Sequence, residues 1–405
     1  MTGYDVVIVG GRVAGASTAL LLARAGVRVA LVERSGPGRD TVSTHGLMRA
    51  GVLQLRRWGL LDRVVAAGTP PIAGTVFRYR GGPDTRVSIR PRAGVAALYA
   101  PRRHLLDQLL VDAAAEAGAD VVPGLTVTAL CRDNSRVGGV HATGRDGHSV
   151  TLPAEITVGA DGVRSTVADL VSAPVVRRGH AASGVLYRYV AELPTDGYEW
   201  AYGDHAAAGL IPTNHGQTCV FVSTTAGRMR ALRRLGGEQA FGVLLAAAAP
   251  SLVDRVGAAR PASRLHGWAG TPGYVRRSWG RGWALVGDAG YFKDPITTHG
   301  MTDALRDAEL LADAVLASYG GRLPQPVALA GYQAARDRMS AELFAATEQV
   351  AGYDWDVQRV QGLLRRVSSA MSDEVEYLES LPDRRLGRSL PRSVRADSVA
   401  NARLA

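Results

Sequence analysis

The chain is poor in cysteine and poorer still in lysine. Its two cysteines, Cys131 and Cys219, lie far apart with no ligand-like neighbours, which argues against a disulfide framework or a zinc site and leaves two free, buried thiols. Lys293 is the one lysine, so the other basic side chains behind a net charge of +10 are all arginine. They are scattered along the chain without interleaved aromatics, and the expectation is no nucleic-acid partner. Long apolar runs are missing as well. The longest, residues 240–249, contains a glycine and stops at Pro250, well short of the ~20 residues that span a bilayer. The residues ahead of the first strand-like run lack the basic, apolar and small-residue order of a secretory leader. A soluble, cytoplasmic protein with no membrane partner is therefore expected.

What is present is a chain of 405 residues, 46% hydrophobic and 21% charged, long enough for a large core and two lobes. The excess positive charge suits an anionic cofactor and admits an anionic or carrier-bound substrate. Residues 4–10 are apolar and β-branched, residues 14–25 have helical character and stop at Gly26, and residues 27–32 read as a second strand. That is a βαβ opening within about thirty residues. Residues 73–90 suggest a strand pair around Gly81-Gly82, and residues 100–118 one amphipathic helix. Turn pairs at Asn134-Ser135 and Asp146-Gly147 punctuate a β meander over 120–160. Residues 176–275 read as strands plus one helix, 236–249, and a strand at 283–286 returns to the first lobe. Helix dominates from Met301, and the last residues form a basic, frayed tail.

The first turn reads Gly10-Gly11-Arg12-Val13-Ala14-Gly15, in the strand-to-helix context of a dinucleotide fingerprint. A helix start there aims free N–H groups and a positive dipole end at a pyrophosphate, and glycines let the backbone come close. Glu33 follows 18 residues after Gly15, placed to accept bonds from an adenosine ribose. Arg12 occupies the position of the middle glycine. Either the cradle is lost, or the guanidinium turns to the phosphates and substitutes charge for close approach; the second reading is preferred.

Two later stretches, VGADGVRST at 158–166 and GWALVGDAGYFKDPITTHGMTDALRDAELLA at 282–312, resemble the DG and GD motifs of the para-hydroxybenzoate hydroxylase-like, single-component flavoprotein monooxygenases. The resemblance covers about residues 1–350. Within it, Gly287-Asp288-Ala289, Pro295 and Gly300 match the GD element in spacing, Arg49-Ala50-Gly51-Val52-Leu53 resembles the segment beside the isoalloxazine, and Arg103 with Leu106-Asp107 resembles the helix whose arginine reaches the cofactor. The resemblance implies an α/β, two-lobed fold: a Rossmann-like FAD/NAD(P)-binding domain from 1–75, 98–175 and 276–350, an interleaved antiparallel substrate domain from 76–97 and 176–275, and a C-terminal helical segment, 351–405. It implies FAD held by Gly10, Arg12, Val13, Ala14, Gly15, Glu33, Arg34, Arg49, Arg103, Val127, Asp161, Asp288, Pro295, Gly300 and Met301.

Tyr291, Lys293, Thr297, Thr298, His299 and Thr302 depart from the family pattern. Tyr291, Lys293 and His299 are accordingly the catalytic candidates, Lys293 as a cation steering an anionic substrate or polarising a carbonyl. The DPxxxxG ending is also similar to flavin-dependent halogenases and geranylgeranyl reductases. The absence of any early lysine disfavours halogenation. His45 stands just before the isoalloxazine segment, as a hydrogen-bonding group in preference to a covalent flavin tether. Tyr187, Tyr189, Trp200 and Tyr202 fall at alternate strand positions and are candidates for the substrate pocket. The expectation is a monomeric or homodimeric FAD monooxygenase, reduced by NADH or NADPH, that hydroxylates or epoxidises a small aromatic or polyketide-like molecule through a flavin C4a-hydroperoxide. The alternative is an FAD dehydrogenase or saturating reductase.

Overall fold

A computed structural model describes residues 3–36 and 40–382; the basic tail expected at the C-terminus lies outside the described residues. Val6, Val7 and Ile8 are fully buried, because a parallel strand covered on both faces has to be apolar on both. They sit in β1 (Tyr4–Val9), which leads into α1 (Val13–Arg24) and β2 (Val29–Glu33). Every residue of α1 except Arg24 is buried. A helix apolar all round needs neighbours on each side, and α1 has them in the helices Arg103–Glu116 and Gly300–Tyr319.

β1 is paired in parallel on both sides, with Val6 opposite Val29 of β2 and opposite Ile156 of the strand Ser149–Gly159. Trp283–Leu285 continues the sheet in parallel on one side and Asp120–Pro123 on the other. The carboxyl ends Val9, Glu33, Gly159 and Leu285 therefore line up along one edge. That edge is where ligands settle on an open parallel sheet, and the Gly-rich turn, Glu33, Asp161 and Asp288 all lie at it. Their scatter in sequence is removed by topology.

The second sheet runs in the order Arg260–Pro261, Ser183–Ala191, Gln217–Thr225, Ala206–Pro212, Tyr198–Gly203, Gly74–Tyr79, Thr85–Ser88. The hairpin expected over 73–90 forms and joins this sheet through a parallel pairing with Tyr198–Gly203. One face, with Leu186, Leu210, Val220 and Val222, packs under helices. Three helices cover it, Ala226–Arg233, Gly237–Ala248 and Val253–Ala258, where the sequence reading expects one. The two it misses are short, and Ala226–Arg233 buries only Met229 among arginines, so its apolar period is too weak to read. The other face shares a core with the C-terminal helices Gln325–Val350 and Val357–Glu379. No described helix is long and apolar enough to cross a membrane.

Candidate functional site

At the first turn, Gly10 has φ +106°, and a Cβ there would stand 2.5 Å from the Ala160 carbonyl oxygen. A Cβ on Gly15 would stand 1.8 Å from the oxygen of Gly10. Strand, turn and helix approach too closely for side chains at either place. The first-turn N–H groups of Val13, Ala14 and Gly15 precede the first intrahelical bond, from Ala16 N to Arg12 O, and are left for a ligand. Arg12 opens α1 with extended backbone and donates from its guanidinium to Thr41 Oγ1. Glu33 accepts from Gly11 N at 2.7 Å and Ser35 N at 2.8 Å. Arg34 beside it is exposed.

Arg103 is bidentate to Asp107, both bonds 3.0 Å. Burial pushes the Asp107 carboxyl up, while Arg103 and then Arg12 pull it back, so turn and helix bring two guanidinium groups towards one carboxylate. Asp288 lies in the short turn Gly287–Ala289. A Cβ on Gly287 would be 2.8 Å from the Cβ of Ala14, which fixes this turn against the start of α1. The Asp288 carboxylate makes no hydrogen bond among the described residues; burial pushes it up to about 6, against the pull of Lys293 and Arg103.

Other expected contacts are already engaged. Asp161 accepts from Ser165 Oγ and, at 3.1 Å, from Val167 N, so its carboxylate serves the helix Thr166–Leu170 and only its backbone lies against the turn. Arg49 donates to the carbonyls of Val95 (3.0 Å) and Arg90 (2.8 Å) and holds that loop. Val127 is buried in one cluster with Val9 and Val32.

The segment from Tyr291 to Met301 forms the next wall. Pro295 starts a short 3-10 turn, Thr298 is left-handed, and the helix Gly300–Tyr319 begins at an exposed Gly300 with Met301 buried behind it. Residues 46–48 and the first turn of the helix Arg49–Arg57 press on it: a Cβ on Gly46 would be 2.5 Å from Thr298 Cγ2, one on Gly51 2.9 Å from Thr302 Oγ1. Lys293 and His299 point into an enclosed charge cluster. Lys293 pairs with Asp303, whose other oxygen takes Arg306 at 2.9 Å. Arg306 also meets Glu374 at 2.9 Å, and Glu374 accepts from or shares a proton with His299 Nε2 at 2.6 Å. Tyr291 lies beneath Lys293 and Arg306, 5.3 and 5.9 Å from its ring centre. Burial lowers Lys293 to about 7, and Arg306 adds to that. His299, Asp303 and Glu374 are close enough to hold an ion, yet Lys293 and Arg306 already pair with those two carboxylates. Arg306 and Glu374 have no counterpart in the sequence reading; Glu374 comes from a distant helix that no local motif marks.

Tyr187 and Tyr189 meet edge to face at 5.9 Å, and His266 stacks on Tyr187 at 5.0 Å. His45 bonds Tyr189 OH through Nε2, the Arg102 guanidinium lies 3.6 Å above the Tyr189 ring, and Asp40 accepts from Arg102 at 3.0 Å. Burial drives His45 down to about 3, Tyr187 up to about 12 and Tyr189 up further. These residues join the two lobes beside residues 46–51. Trp200 and Tyr202 instead pack on Tyr198 and Phe221, and on Tyr79 and Trp355. His266 and Arg102 are additions the sequence did not single out.

Residues 3–347 match the FAD binding domain family. The chain belongs to that family. It is 27% identical to the aurachin C monooxygenase/isomerase of Stigmatella aurantiaca over 375 residues, 86% of this chain and 89% of that one. It is 32% identical to the probable electron transfer flavoprotein-quinone oxidoreductase YdiS of Escherichia coli over 45% of this chain and 42% of that one, so the match spans less than half of that relative. Among solved structures, the flavin-dependent brominase Bmp2 aligns over 100% of both chains at TM-score 0.79 and 18% identity, a likeness of fold. Pseudomonas aeruginosa PqsL in complex with 2-aminobenzoylacetate aligns over 90% of this chain and 100% of that one at TM-score 0.75 and 25% identity. The residues present fit FAD: a cradle at Gly10 and Gly15 that a Cβ would fill, unused helix-start donors, and an unpartnered Asp288 carboxylate beside them.

Proposed function

We propose that the protein is an NAD(P)H-using FAD monooxygenase that hydroxylates or epoxidises a small aromatic or polyketide-like molecule, anionic or carrier-bound, working as a soluble cytoplasmic monomer or homodimer. The observation that supports the substrate class is the aromatic cluster at the lobe junction, where Tyr187, Tyr189, His266 and His45 pack on one another and the Arg102 guanidinium, held by Asp40 and Gln217 over the Tyr189 ring, adds positive charge. The aurachin C relative is a monooxygenase by name, and PqsL is seen with an aromatic keto acid; both support this reading.

In this account Val13, Ala14 and Gly15 bind the pyrophosphate through the helix start, with Arg12 and Arg103 adding charge, and Glu33, flanked by Arg34, takes the ribose. Asp288 bonds the ribityl chain, and Pro295, Gly300 and Met301 border the ring. Bound FAD supplies the redox and oxygen chemistry. The protein's part is to hold substrate against that ring, exclude water and set the local charge. Tyr187 and Tyr189 face the substrate; Trp200 and Tyr202 support them as core. Lys293, Tyr291 and His299 act from behind the ring through the buried cluster.

A second reading, a dehydrogenase or saturating reductase, is favoured by the Pro295 to Gly300 spacing. A digeranylgeranylglycerophospholipid reductase of Methanothrix thermoacetophila is 26% identical over 77% of this chain and 78% of that one. Product analysis with and without oxygen separates the two. The monooxygenase reading predicts no product anaerobically, and product formed without oxygen would establish the reductase instead.

A further inference from the structure

The cluster behind the Pro295–Thr297 turn joins three parts of the chain. Lys293 and Tyr291 come from the segment before the turn, Asp303, Arg306 and Asp307 from the helix Gly300–Tyr319, and Glu374 from the helix Val357–Glu379, beyond the region matched to the family. Ser340, from the helix Gln325–Val350, closes it by accepting from Arg306 at 3.0 Å. All the charged members are buried. Two cations, Lys293 and Arg306, face three carboxylates, Asp303, Asp307 and Glu374. With Lys293 protonated and His299 neutral the cluster holds one negative charge in excess, and one added proton cancels it.

His299 is built to receive that proton. Its Nε2 is 2.6 Å from Glu374 and 3.8 Å from Asp303, and its buried Nδ1 has no hydrogen-bond partner. Burial first, with Lys293 and Arg306, holds the imidazole below its ordinary value against the pull of Glu374, so it stays neutral until further negative charge arrives nearby. Negative charge added beside such an interior shifts the balance towards the protonated cluster. The cluster also feels the cofactor cleft, since Lys293 and Asp288 act on each other electrostatically.

We propose that this cluster takes up one proton from solvent when the bound flavin is reduced, and that Glu374 is the positioning residue that enables His299 to hold it. Reduction by a hydride delivers two electrons and one proton to the flavin and leaves one added negative charge there. The second proton comes from solvent and forms an N–H bond on His299 with the lone pair of its ring nitrogen; no other bond within the protein changes. The inference rests on FAD binding and not on the identity of the substrate.

The test is a redox titration of the FAD-loaded protein by photoreduction with an indicator dye, counting protons taken up per two electrons at ~pH 6 to 8, where imidazole and perturbed ammonium groups titrate. The wild type is expected to take up two protons and Glu374→Gln one. His299→Gln, a second variant for the case in which Glu374→Gln does not fold, is also expected to take up one. A wild-type count of one, or equal counts of two in wild type and a folded variant, overturns the proposal. Failure of the wild type to bind FAD would overturn the functional reading itself, a separate result seen before any titration begins.

Discussion

Gly15 shows how little freedom the first turn has. With the Gly10 oxygen 1.8 Å from where a Cβ would sit, Gly15→Ala has to push α1 away from the turn, an overpacking that costs about 1–3 kcal/mol. It also draws the N–H donors back from the pyrophosphate. Purified Gly15→Ala is therefore expected to carry much less FAD per protein than wild type by absorbance; equal flavin content would contradict the cradle. Arg12→Ala should weaken FAD binding without emptying the site, since Arg12 adds charge to donors that α1 provides by itself.

His45 carries a pH prediction. Burial holds its imidazole at about 3, far below the value of ~6.5 in an unfolded chain. In the window between those values the unfolded state binds the extra proton, so stability falls as pH drops, by at most about 1.4 kcal/mol per unit from this group. His45 has φ +63°, a left-handed conformation that asparagine tolerates, so His45→Asn can remove the titration with little backbone strain. Urea denaturation from neutral to mildly acid pH is expected to show a shallower loss for His45→Asn. Parallel slopes for the two proteins would mean that His45 is not held neutral.

Between elements, the helix Arg49–Arg57 is tied to Gly300–Tyr319 through Glu309, which meets Arg57 at 2.9 Å, Gln54 at 2.7 Å and Trp58 at 3.3 Å. Removal of one partner of such a buried pair leaves a charge uncompensated and costs about 3–5 kcal/mol. Glu309→Ala should lose stability of that order in denaturant melts, and a loss under ~1 kcal/mol, the range of an exposed pair, would contradict the buried tie. This tie matters because it holds Gly46 and the start of that helix at Gly51 against Thr298 and Thr302.

How much of this was legible in the sequence follows from the range of each interaction. The βαβ unit was readable because strand and helix periods are local, and the Gly-rich turn because its glycines answer to neighbouring backbone. Asp161 stands at a strand end four residues before Ser165, and in the structure Ser165 caps the helix Thr166–Leu170 while the Asp161 carboxylate accepts from Ser165 Oγ and Val167 N. Arg49 carries no local sign that its guanidinium will serve the carbonyls of Arg90 and Val95. The tyrosines of the second lobe declared a shared face but not which of them reach the lobe junction, since that depends on sheet position relative to the first lobe. Glu374 was invisible because its partners are brought to it only by the packing of three helices.

At the scale of the molecule, the parallel strands of the first sheet present the Gly-rich turn, Glu33, Asp161 and Asp288 along one edge, and the mixed second sheet presents Tyr187 and Tyr189 to the same junction. The one lysine, conspicuous in a chain otherwise basic through arginine, is buried against Asp303 inside the charge cluster. Belonging to the FAD binding domain family accounts for the first sheet; the reaction depends on what the junction holds. The most direct measurement supplies NADH or NADPH, a panel of small aromatic acids and isotopically labelled dioxygen to the FAD-loaded protein and reads the product by mass spectrometry. The account predicts substrate-stimulated consumption of the nicotinamide and one labelled oxygen atom in the product. A product that forms with no label from dioxygen would contradict it.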